Sequence, residues 1–354
     1  MKQASQHPAE PSAFEHLLAA CASALFFLTP SRQSYASLPN GSAIPIYSEQ
    51  FRGWVLKQAA DHALPVPSPF RLAHVLRHHD NILQTTGVPS TTVHNRIAIQ
   101  PDGTIYLDLQ TADHEAIEVI RNNWTRTHHH PATFRRHELN LPLPVPTFSK
   151  ATTTQLLAKS MGLTEVDANP LANWLTMALL PNVAAPILVI TGEARIEAAR
   201  LLRNIIDPVV HPLFPLPVTE GQLGQLAQWN SVLAFDAGPY ITEGRKSALR
   251  RIRRGVPVRI REVSRRQSPI YETTQRPILI AADAAVEIEK NQSNIEINQC
   301  HEVPLDQLLG ALLNQLVRAL KQIEAPSESW KIDSRQLHNV PIQVQYATAS
   351  KPFT

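Results

Sequence analysis

Residues 187–208 read ILVITGEARIEAARLLRNIIDP. The run Ile187–Ile190 shows no polar alternation, which marks a strand buried on both faces of a parallel sheet. Gly192 sits where that strand must turn, and a helix over Arg195–Ile206 follows at once. Val232–Phe235 and Ile278–Ala282 are two further fully apolar strand runs, again separated by helical stretches. Strands alternating with helices predict an α/β fold.

The chain has 354 residues, which suits about two domains. With 43% hydrophobic and 18% charged residues, it is neither a disordered chain nor a repeat-rich surface protein. The 29 prolines against 12 glycines are scattered and act as element breakers. Net charge is only +3, so total charge does not point to nucleic acid. Two cysteines, Cys21 and Cys300, cannot build a zinc cage or a disulfide framework, and they fit a reducing compartment. The apolar run Leu17–Leu28 lacks a cationic start, since Glu10, Glu15 and His16 precede it. It is also too short to span a bilayer. It reads as a buried amphipathic helix, with no membrane partner and a cytoplasmic location expected.

Residues 1–33 are thus expected to form a polar tail and a helix. A small α+β domain is expected over 34–140, with strands near Tyr35–Leu38 and Ala43–Tyr47 and helices over Ser48–His62 and Phe70–Leu83. A hairpin follows at Val93–Ile99 and Thr104–Leu109, turned by Pro101-Asp102-Gly103. Residues 141–150 contain LPLPVP, a stiff linker. The α/β domain is assigned to 151–325, ending in an amphipathic helix at Leu305–Ile323. Residues 326–354 are a polar tail.

Several stretches in order carry a resemblance: SYASLP, FRGWV, GTIYLDL, FRR before LPLPVP, PILVITGE, LLRNIIDP, NSVLAFDAG, QRPILIAA and LLGALLNQLVRAL. From about residue 30 to residue 323 the chain resembles the helicase-like P-loop ATPases of phages and integrative elements. These often form the C-terminal half of primase–helicase polypeptides. The resemblance implies a P-loop NTPase domain (AAA+/superfamily 3 helicase-like), three layers deep, preceded by the small α+β domain.

It also implies Gly-x-x-x-x-Gly-Lys-Ser/Thr after the first strand. In that motif, backbone N–H groups wrap the β-phosphate, Lys neutralises it and the hydroxyl holds Mg²⁺. Counted from Gly192, the Lys and hydroxyl positions are Ala198 and Ala199. Aligned on Asp207-Pro208, they are Arg195 and Ile196, with a loop too short to encircle a phosphate. Asp236 matches the Walker B acid, but Ala237 follows it with no second acid. Ala281-Ala282 stands where a polar sensor is expected. Ser293-Asn294 replaces an Arg–hydrophobic run that would contact a neighbour's nucleotide. Gly192, Arg195 and Asp236 are therefore vestigial nucleotide-site residues, and no catalytic residue remains.

Basic charge is concentrated instead. Ten basic residues lie between Arg245 and Arg266, with Glu262 the only acid among them. Residues 242–254 read as a helix whose apolar face holds Ala248, Leu249 and Ile252. A hairpin over Val256–Val263 and Ile270–Thr274 follows, with Arg265-Arg266 near its tip. In the family, the hairpin before the sensor strand touches DNA in the channel of a ring. Guanidinium forks suit phosphate oxygens. Arg250, Arg251, Arg254, Arg259, Arg261, Arg265 and Arg266 are the expected nucleic-acid contacts.

The 15 histidines, adjacent at His78-His79 and His128-His129-His130, lack ligand spacing, so no metal is expected. The leading expectation is a catalytically silent helicase-like protein of a mobile element, without cofactor. It would bind nucleic acid or scaffold a replication-type assembly, as a ring-forming homo-oligomer or beside an active helicase. The alternatives are an active ATP- and Mg-dependent DNA helicase or translocase with an unusual phosphate loop, and a protein-interaction adaptor using a basic face.

Overall fold

The computed structural model describes residues 17–19, 21–86, 90–180, 183–255, 257–261, 270–273 and 275–322. They divide into two compact units. One runs up to Val93 and includes Thr133–Arg136; the other holds the rest.

In the first unit, β1 (Leu25–Leu28), β2 (Ser34–Ser37) and β3 (Ala43–Pro45) form an antiparallel sheet. Helices α1 (Glu49–Asp61) and α2 (Pro69–Thr85) follow. Ser48 and Ser68 cap them, each side-chain oxygen accepting an N–H of the first turn. Phe51, Val55, Leu72 and Val75 share a core with Ala36, Ile44 and Ile46. The helix expected over Leu17–Leu28 is corrected here. Among the described residues of this run only 17–19 are helical, and Leu25–Leu28 pair with Ser34–Ser37 instead. Short apolar runs suit strand and helix equally, and cross-strand pairing decided this one. Val93 of β4 (Val93–His94) also belongs to this unit, as does the short strand at Thr133–Phe134.

The second unit opens with β5 (Ile97–Ile99), β6 (Ile105–Asp108), β7 (Ala116–Val119) and β8 (Trp124–Thr127), an antiparallel meander. After β9 (Thr133–Phe134), which belongs to the first unit, come α3 (Thr153–Met161), α4 (Glu165–Ala178), β10 (Leu188–Thr191), α5 (Arg195–Ile206), β11 (Phe214–Pro215), α6 (Glu220–Trp229), β12 (Leu233–Ala237) and α7 (Glu243–Arg253). The chain continues through β13 (Pro257–Arg261), β14 (Ile270–Thr273), β15 (Ile278–Ala282), β16 (Ser293–Glu296) and α8 (Leu305–Gln322).

The division differs from the sequence expectation of one domain over 34–140. Ile105, Leu107, Ile117 and Val119 of the meander pack into the same core as α4 and α8, so residues 94–132 belong to the second unit. The stretch 141–150 is extended but not a free spacer. Leu143 is buried and donates its N–H to Leu109 O, and the Thr147 N–H reaches Asp306 O at 3.1 Å. Gly310 permits that approach, since a Cβ there would overlap the Thr147 carbonyl.

The central sheet is parallel in every pairing, in the order β11-β12-β15-β10-β16. One face, with Leu188, Ile190, Ala234 and Leu279, is covered by α5 and α8. The other, with Ile187, Val189, Leu233 and Ile280, is covered by α6 and α7. This is a three-layer α/β domain. The helix after β10 lies on one face while those after β11 and β12 lie on the other, so the order switches at β10. Open α/β sheets bind ligands outside the strand carboxyl ends at such a switch.

Beneath the opposite end lies a fully buried charge network. Arg96, Arg203 and Asp207 are all wholly inaccessible. Asp207 meets Arg96 Nε at 3.3 Å and Arg203 Nη2 at 3.2 Å, and accepts the N–H groups of Ser231 and Val232. Arg203 also donates to the Val232 carbonyl and to Asn230, and Arg96 to Asp108, Leu141 and Pro208 carbonyls. One carboxylate thus joins the meander, the 141–150 stretch, α5 and the entry to β12.

Candidate functional site

At the switch point, three residues, 192–194, separate the carboxyl end of β10 from α5. Gly192 has φ +98°, and a Cβ there would lie 2.4 Å from Ile297 O and 2.7 Å from Asn298 Oδ1. The turn is therefore pressed against the segment after β16. The Ala194 N–H donates to Ile297 O at 3.0 Å, and the Glu193 N–H to Asn298 Oδ1 at 3.2 Å. These are backbone donors that a phosphate would need, and the protein's own oxygens accept them.

Arg195 opens α5 and directs its guanidinium to the Asp283 carboxylate, just beyond β15. Both side chains are partly exposed. The Arg195 charge at the Lys position of the shorter register thus already has an anion. Ala198 and Ala199, the Lys and hydroxyl positions of the register counted from Gly192, are wholly buried on the core side of α5. Asp236 lies near the end of β12, exposed, opposite Ala281 in the ladder. Alternation along the strand sets it on the α5 face with Ala234. Ser293 and Asn294 lie in β16, the edge strand, paired with Leu188 and Val189. Among the described residues no group of three His, Cys, Asp or Glu could hold a metal ion.

Thr242 caps α7, its hydroxyl accepting the Arg245 N–H, and Arg254 closes the helix. The fold brings acids to this helix that the local sequence does not show. Arg251 meets Glu220 at 2.7 Å. Arg253 meets Glu289 at 2.9 Å and donates to Ala184 O. Arg250 donates to Ile288 O at 3.0 Å and pairs with Glu243, which also holds Lys246 at 3.1 Å. The hydrogen bond from Lys246, with Arg250 adding to it, holds the Glu243 carboxyl below its ordinary range. So Arg250 and Arg251 are engaged within the protein, whereas Arg254 is exposed.

The hairpin forms as a separate two-stranded antiparallel ribbon between α7 and β15. Arg259 pairs with Tyr271 and Arg261 with Ile270, and the ladder is irregular between them. Arg265 and Arg266 lie outside the described residues. Sequence reasoning missed Asp283, Asn298, Glu220 and Glu289. Asp283 had a faint signal, one residue past the expected sensor position; the others act across sequence distances that no local pattern reveals.

No protein-family model matches the chain, and no curated protein matches it. Among solved structures it is similar to the A form apo structure of the NrS-1 C-terminal region, at 10% identity and TM-score 0.42, over 87% of this chain and 67% of that one. It is also similar to an active helicase, SCCmec type IV Cch, at 12% identity and TM-score 0.39, over 84% of this chain. The chain spans just over half, 57%, of that helicase. Among the described residues no helix is long and apolar enough to cross a membrane.

Proposed function

We propose that this chain is a helicase-like P-loop-type protein that no longer turns over nucleotide. It binds nucleic acid through a basic ribbon and scaffolds a replication-type assembly of a mobile element, as a ring of its own copies or beside an active helicase. The observation that carries the first half is the closed turn after β10, where Ile297 and Asn298 accept the backbone donors and Asp283 holds Arg195. The parallel sheet with its switch at β10 supports a fold inherited from nucleotide binders.

The second half rests on the ribbon. Its strand β13 carries Arg259 and Arg261, and Arg265 and Arg266 follow in the chain. Arg254 adds an exposed cation at its base, while Arg250 and Arg251 already have acidic partners. If about five phosphates are neutralised, log K falls with log salt at a slope of about −3.5 on single strands or −4.5 on duplex. Changing Arg259, Arg261, Arg265 and Arg266 together to alanine flattens that slope by about three to four units and weakens all sequences alike. Alanine at Arg250 and Arg251 changes it by less than about one unit. Fluorescence anisotropy of labelled oligonucleotides across a salt series measures all three. Unchanged affinity and slope in the quadruple variant would remove the ribbon as the contact surface and favour the protein-adaptor reading.

A further inference from the structure

A cleft of about 330 Å³ opens between the segment entering α6 and the exposed side of α7. Leu216, Leu223, Ala248 and Leu249 form its floor, and Val218 stands at the lip, 72% exposed. The polar groups at the α6 end are already satisfied. Thr219 and Gln222 form a capping box, and the Val218 and Thr219 N–H groups both reach Gln222 Oε1. Arg251 is held by Glu220 at the rim. Arg245 differs: it lines the cleft, and its guanidinium has no ion pair among the described residues.

We infer that this cleft docks an acidic segment of a partner protein, seating one apolar side chain on the aliphatic floor and a neighbouring carboxylate on Arg245. Charge argues for that occupant. Even with Glu243, Glu220 and Glu289 set against them, the cations of α7 keep a net positive charge. A carboxylate suits the guanidinium fork. Nucleic acid suits the cleft less, because no aromatic side chain lines it and base stacking needs such a platform. The apolar floor, not the rim charge, would supply most of the affinity, since anchors gain by desolvation in a pocket. Among the described residues none of the β13–β14 ribbon lines this cleft, and it adds a partner to the proposed scaffold.

The test uses short fluorescent peptides with a central Leu, Phe or Ala, flanked by Glu, Gln or Lys, on the full chain. Leu- or Phe-centred, Glu-flanked peptides should bind, and the Ala-centred or Lys-flanked ones at least about tenfold more weakly. Arg245→Glu should weaken binding by about tenfold or more, and Ser247→Trp, which fills the cleft from an exposed position, should abolish it while melting as the parent does. The quadruple ribbon variant should bind these peptides unchanged, which separates this inference from the nucleic-acid reading. Binding by no Glu-flanked peptide, equal binding of Gln-flanked ones, or indifference to Arg245→Glu would overturn it. So would displacement of the peptide by a single-stranded oligonucleotide in the ribbon variant.

Discussion

Asp207→Ala is expected to unfold the second unit, or to lower its stability by about 3–5 kcal/mol. The carboxylate is the one anion shared by Arg96 and Arg203, and all three side chains are wholly buried. Burial already pushes the Arg203 guanidinium below its ordinary pKa, with Asp207 opposing that shift. Removing the acid leaves two desolvated cations and two orphaned N–H groups, those of Ser231 and Val232. Small domains hold only about 5–15 kcal/mol in all. Glu115→Ala is the comparison: it breaks the Glu115–Arg126 pair, whose arginine is half exposed, and should cost little. Urea denaturation of both variants decides the matter, and equal midpoints would mean that the network is not what ties the unit together.

Leu233→Asp should have an effect of similar size for a different reason. Leu233 lies in β12 between β11 and β15, pairs with Ile278, and is fully buried beneath α6 and α7. A carboxylate there has no partner, at a cost of several kcal/mol, on the order of the whole stability. Val218→Asp, at a site 72% exposed, should leave the melting temperature nearly unchanged. A folded Leu233→Asp chain with parental melting behaviour would contradict the three-layer arrangement.

How much the sequence disclosed follows from the range over which each feature acts. Helix α5 matches its expected bounds, Arg195–Ile206, and β15 matches Ile278–Ala282, because continuous apolar runs and helical spacing are local signals. The hairpin at Ile97–Asp108 is shorter than expected but turned at the expected Pro101–Gly103. Helix α4 begins at Glu165, where Thr164 caps it, and runs on through Pro170. Strand β11, two residues long at the sheet edge, has no local signature. At the site, the resemblance implied an altered phosphate loop. No local pattern could show that Asp283 and Asn298 reach the Gly192 turn and Arg195, because by their numbering they lie 91 and 106 residues from Gly192. Likewise Glu220 and Glu289 reach the basic helix from outside its own stretch of sequence.

The central claim is that the carboxyl end of β10 accepts no nucleotide. Titration calorimetry of the full chain with ATP and Mg²⁺, followed by a phosphate-release assay on the same sample, tests it most directly. No saturable heat and no phosphate release are expected, and the melting temperature should not move with ATP, since stabilisation requires binding above Kd. Saturable ATP binding with turnover that Asp236→Ala abolishes would contradict it and identify a working ATPase.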